Sequence, residues 1–128
     1  MTNLYREHIL DHYRNPRNQG VLERADLSAQ LDNPTCGDVV RLDIQLGEEK
    51  EEKRVQAARF SGQGCVISMA AASMLTEWLT GKTLTEMAAL RDEDMLAMVG
   101  APLGAVRSKC ALLPLRTLQA ALKQLPTT

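Results

Sequence analysis

A chain of 128 residues with 15 Lys and Arg against 16 Asp and Glu has a net charge of −1, which excludes the basic footprint of a nucleic-acid binder. Hydrophobic residues make up 45% and aromatics only 3%, so the core must be built from Leu, Val, Ile, Ala and Met, and no apolar run reaches the ~20 residues of a membrane span. A single domain over residues 1–128 is expected, and the polar start MTNLYREHILDHY, without a secretory apolar stretch, makes the cytoplasm the expected location.

The elements follow in chain order. Asn3 can cap a helix to about Arg14, with Leu4, Tyr5, Ile9 and Tyr13 as its apolar stripe and Pro16 as its stop. Asn15 to Gly20 reads as a turn, and residues 21–35 hold at most one short strand before Asn33-Pro34. Val40, Leu42, Ile44 and Leu46 alternate with polar residues, the period-two pattern of a half-buried strand. After the charged turn Gly47 to Lys53, a second strand from Val55 to Ser61 should pair antiparallel with it, and Gly62-Gln63-Gly64 breaks that strand before Cys65. Ile67, Ala70, Ala71, Met74, Leu75 and Trp78 then recur at helical spacing from Cys65 to Thr80. Thr83 and Glu86 form a capping box for a short helix to Leu90, and a further helix spans Asp92 to Val99. Ala101 to Arg107 reads as a loop. Proline fits a helix only in its first turn, so Pro114 places the start of the last helix no earlier than about Cys110, with its end near Leu125. The order implies an α+β domain, a small antiparallel three-stranded sheet with helices packed on one face.

Three cysteines cannot all pair within the chain, and a reducing compartment disfavours disulfides. Cys36 lies at the turn entering the first long strand, and Cys65 at the turn leaving its partner, so the open end of a hairpin would bring them together. Cys65 and Cys110 both read as helix starts, where unpaired N–H groups and the helix dipole favour thiolate over thiol. Asp38 is two residues from Cys36 and projects to the same side of an extended segment. Cys36, Asp38, Cys65 and Cys110 are therefore candidate ligands of one four-coordinate metal site. The alternative is three buried core thiols and a surface aspartate. His8 and His12 have the i, i+4 spacing of H-E-x-x-H, but Ile9 stands where its glutamate would be. They read as partly exposed helix residues bonding neighbouring carboxylates.

Several segments together resemble the U-type iron–sulfur scaffold family of IscU, SufU and the NifU N-terminal domain. They are Asp11-His12-Tyr13 with Asn15-Pro16-Arg17-Asn18; Cys36-Gly37-Asp38; Ala58-Arg59-Phe60 with Gly64-Cys65; Leu75-Thr76-Glu77-Trp78 with Gly81-Lys82; and Lys109-Cys110. The resemblance implies a scaffold for iron–sulfur cluster assembly that receives sulfur from a cysteine desulfurase and passes the cluster to acceptor proteins. It also implies Cys36, Asp38, Cys65 and Cys110 as ligands of a transient [2Fe–2S] cluster or of zinc, with Cys36 or Cys110 as the sulfur carrier. A zinc-dependent sulfurtransferase of the SufU kind is the alternative, and a module with structural zinc a distant one. Lys109, where IscU has histidine, resembles SufU, whereas the short stretch from Cys65 to Cys110 resembles IscU. The leucine–proline–proline–valine–lysine segment that IscU offers its dedicated Hsp70 chaperone is replaced by Ala101-Pro102-Leu103-Gly104-Ala105-Val106-Arg107, so the resemblance does not carry that partnership.

Overall fold

The computed structural model describes residues 3–34, 37–47 and 52–125. Its elements are α1 (Asn3–Arg14), β1 (Leu27–Asn33), β2 (Asp38–Gly47), β3 (Arg54–Gln63), α2 (Val66–Leu79), α3 (Leu84–Ala88), α4 (Asp92–Val99) and α5 (Ala105–Leu122). The three strands form one antiparallel sheet in the order β1-β2-β3. The α+β expectation holds.

Register explains the core. Leu42 pairs with Ala29 on one side and Phe60 on the other, and Ile44 with Leu27 and Ala58, so the apolar alternation of all three strands falls on one face. Val40, Leu42, Ile44, Ala58 and Phe60 are almost fully buried there, together with Ala71 and Leu75 of α2 and Leu115 and Leu118 of α5. The opposite face is polar but organised. Asp43, fully buried, accepts from Ser28 Oγ at 2.6 Å and from Arg41 Nε at 3.1 Å, and its neighbour across the strands is Arg59.

The turn after α1 ties three elements together. Arg17 N–H donates to Ser73 Oγ of α2 at 2.8 Å. Asn18, with φ of 62°, accepts the Phe60 N–H at its carbonyl and Arg59 Nη1 at its side chain. Asn-Pro-Arg-Asn is thus a structural clasp. At the other end of α2, Gly81 N–H donates to Val55 O and Val55 N–H to Lys82 O, closing the helix onto β3, while Lys82 Nζ sits 4.9 Å above the Trp78 ring.

Two helix readings need correction. The last helix starts at Ala105, five residues before Cys110, and carries Pro114 in its interior. Proline removes the amide that would bond the carbonyl of Cys110. The helix continues through it because Pro114 and the flanking Leu113, Leu115 and Leu118 are buried, and core packing outweighs one missing hydrogen bond. His12 is buried rather than partly exposed. Its Nδ1 lies 2.8 Å from Ser73 Oγ, while Glu77 is 4.0 Å from Nε2. Burial, reinforced by Arg17 and His8, pushes its pKa below the usual 6.5. Among the described residues no helix is long and apolar enough to cross a membrane.

Candidate metal centre

The site is built where β2 begins, β3 ends and α2 starts. The register pairs Val39 with Gln63, which sets Asp38 beside the turn into α2. Gly62, with φ of 132°, lies so close to β2 that an added Cβ would meet Val39 O at 2.0 Å. Gly64 is confined by side chains instead: its Cβ would stand 2.7 Å from both Asp38 Oδ1 and Ser68 Oγ. The two glycines allow the chain to turn in contact with the carboxylate.

Cys65 is the N-cap of α2, and its sulfur accepts from Ser68 N–H at 3.5 Å. Asp38 Oδ1 accepts the Cys65 N–H at 2.9 Å, and Asp38 Oδ2 lies 3.5 Å from Cys65 Sγ. Asp38 is only 2% exposed, so it is not the surface aspartate of the alternative reading. Cys65 is exposed and Cys110 buried. Cys110 lies in the second turn of α5 rather than at its start, so the helix-terminus argument made from the sequence applies to Cys65 alone.

Asp38, Cys65 and Cys110 converge: their ligand atoms all lie within 4.8 Å of one another. A tetrahedral zinc site with bonds of about 2.0–2.3 Å places its ligand atoms roughly 3.3–3.8 Å apart. The observed group would close on a metal ion by side-chain shifts of about an ångström, and the Asp38–Cys65 pair is already at that spacing. Two soft thiols and a hard carboxylate suit zinc or iron. Cys36 falls outside the described residues. The Gly37 N–H donates to Asn33 O at 2.8 Å. Lys109 is exposed and lines a cavity with Asn33 and Pro34.

Comparison with known proteins places this arrangement. The family model of the NifU-like N-terminal domain matches residues 4–128. The chain belongs to the NifU-like N-terminal domain family. Among its relatives in that U-type family, the zinc-dependent sulfurtransferase SufU of Bacillus subtilis is 48% identical over 81 residues, covering 63% of this chain and 52% of the relative. The chain thus matches about half of that protein's length. The iron–sulfur cluster assembly scaffold protein IscU of Escherichia coli is 35% identical over 121 residues, 92% of this chain and 91% of the relative. A crystal structure from Fervidobacterium islandicum, assigned as an iron–sulfur cluster assembly scaffold for the SUF system, superposes with a TM-score of 0.75 at 28% identity, covering 95% of this chain and 99% of that one.

An apolar groove of about 620 Å³ opens onto the centre of this U-type domain. Cys65 and Cys110 lie in its wall with Ile9, Ile67 and Val106, and Arg6 and Arg107 also line it. Sequence reading missed Ser68, which is fully buried against the Cys65 sulfur. The available signal was a serine three residues after an N-cap cysteine, the spacing at which a cap and its helix meet.

Proposed function

We propose that this chain is a scaffold for iron–sulfur cluster assembly. It would receive sulfur from a cysteine desulfurase on Cys36 or Cys110, and Cys36, Asp38, Cys65 and Cys110 would hold the growing cluster before it passes to acceptor proteins. The observation that carries this reading is the convergence of the Asp38, Cys65 and Cys110 ligand atoms to within 4.8 Å. In the transfer, a cysteine thiolate attacks the terminal sulfur of the donor's persulfide. The donor S–S bond breaks, its thiolate leaves, and a new S–S bond forms on the scaffold. Converting that sulfur to sulfide in a [2Fe–2S] cluster then requires an outside electron donor. The groove beside Cys65 and Cys110 gives the donor's cysteine a route to the site, and Arg6 and Arg107 suit an approaching anion such as a persulfide. The whole process belongs to the cytoplasm, where thiols stay reduced.

A second reading, zinc-dependent sulfur relay, is favoured by the 48% identity to SufU and by Lys109 in place of a histidine ligand. Zinc is bound by Cys, His, Asp and Glu side chains, so a lysine at that position leaves Asp38 as the ligand beside the thiolates. Asp38 supports either reading over a closed structural zinc site, since a carboxylate is the ligand that opens most readily beside thiolates.

The deciding experiment is purification without oxygen followed by metal analysis and a visible spectrum. Iron, sulfide and visible absorbance after incubation with desulfurase, cysteine and ferrous iron support the scaffold. Zinc without a chromophore, together with sulfur transfer, supports the relay. Absence of both metal and transferred sulfur would reject the two together.

A further inference from the structure

Ser68 is a polar residue with no exposure to water, placed one helical turn after Cys65. Its backbone N–H donates to Cys65 Sγ at 3.5 Å. Its hydroxyl lies 3.5 Å from the same sulfur and 3.2 Å from the Cys65 carbonyl, to which it donates. The missing Cβ of Gly64 creates the space in which Ser68 Oγ and Asp38 Oδ1 both approach Cys65. A buried hydroxyl at a helix start has an ordinary structural use in bonding a nearby carbonyl. Here a second acceptor, the cysteine sulfur, stands within reach of the same rotor.

We propose that Ser68 is a positioning residue for the metal-bound form of Cys65. This inference rests on the metal-site reading above. In the structure Cys65 Sγ lies 3.5 Å from Asp38 Oδ2, and the Ser68 hydroxyl points to the Cys65 carbonyl. A metal-bound sulfur is an acceptor only, and the Ser68 hydroxyl, already 3.5 Å from it, turns onto it beside the Ser68 N–H. Two donors on one thiolate fix its direction and draw electron density from it, as outer partners of a metal ligand do. Cys65 is thereby the anchoring thiolate that stays on the metal, which leaves Cys36 and Cys110 for sulfur transfer.

Cobalt(II) binding to the full metal-free chain tests this, because the sulfur-to-cobalt charge-transfer band reports electron density on the thiolates. Ser68→Ala should move that band to lower energy and weaken cobalt binding roughly tenfold. Ser73→Ala, a buried serine of the same helix bonded to His12 instead, should leave the band in place. An unshifted band and unchanged affinity in Ser68→Ala would overturn the proposal, and so would the same band shift in Ser73→Ala. If Ser68→Ala does not fold, wild-type protein loaded with cadmium-113 should show scalar coupling between the metal and a Ser68 proton, and no coupling would overturn it equally. Wild-type protein without a cobalt–thiolate band would instead reject the underlying metal-site reading.

Discussion

Asp38 meets Cys65 twice, accepting its backbone N–H at Oδ1 (2.9 Å) and facing its sulfur with Oδ2 (3.5 Å). One carboxylate therefore shapes the turn into α2 and serves as a candidate ligand. The two roles separate by substitution. Asp38→Ala leaves the part-buried Cys65 N–H without its acceptor and should lower stability by about 1 kcal/mol. Asp38→Asn keeps an acceptor for that N–H and should recover most of the stability. Both variants should retain zinc or a cluster on the cysteines yet slow its transfer to an acceptor protein. Thermal melts and a transfer assay check this. Unaltered transfer in both variants would remove Asp38 from the ligand set.

The two glycines of the turn should fail differently. At Gly62 a Cβ would strike the Val39 carbonyl of the neighbouring strand, where φ is also in the left-handed region, so Gly62→Ala should lose most folded protein. At Gly64 it would strike the side chains of Asp38 and Ser68, which can move. Gly64→Ala should fold, lose about 1–3 kcal/mol, and bind metal at least roughly tenfold more weakly. Circular dichroism and metal titration distinguish them. Wild-type affinity in Gly64→Ala would mean that the close approach to Asp38 has no bearing on the site.

His12 should make the domain sensitive to mild acid. Its folded pKa lies below 6.5, chiefly through burial, so between those two values the unfolded chain binds a proton that the folded chain does not. Stability contributed by the neutral imidazole is complete above about pH 6.5 and is lost as pH falls through and below it. Denaturation midpoints should therefore decline below about pH 6.5, and His12→Gln should flatten that decline. A decline of equal slope in His12→Gln would assign the acid sensitivity to other groups.

The sheet, α2 and the three-residue cluster differ in how far the sequence discloses them. Val40 to Leu46 alternate cleanly and Val55 to Ser61 do so apart from one register shift, where Gln45 pairs with Ala57 but Leu46 with Val55, so their pairing and the approach of Asp38 to Cys65 follow largely from local pattern. Pro114 misleads because its local penalty is visible while the burial of Leu113, Leu115 and Leu118 that offsets it is tertiary. The burial of His12 against Ser73, 61 positions away, is hidden for the same reason. Gly64 reads as a chain breaker, but the two side chains occupying its missing Cβ come from another strand and the following helix. Local periodicity carries element type, whereas close contacts between distant segments leave no periodic trace.

The groove that exposes Cys65 and Cys110 yields the last prediction. Val106 is 59% exposed and lines it with Arg107. If a sulfur donor seats an apolar segment there, Val106→Asp would bury a carboxylate without a partner in the complex, at a cost of several kcal/mol. Arg107→Glu would reverse the charge that an incoming persulfide meets. Both changes lie on the surface of the free protein and should leave its melting temperature and metal content close to wild type. Sulfur transfer measured against scaffold concentration should show KM raised roughly a hundredfold or more by Val106→Asp and about several-fold by Arg107→Glu, at similar kcat, since docking rather than chemistry is weakened. Val106→Asp should do so at all salt concentrations, whereas Arg107→Glu should lose its effect as salt screens the charge. Wild-type KM in both variants would place the donor on another face and leave the groove without a part in sulfur delivery.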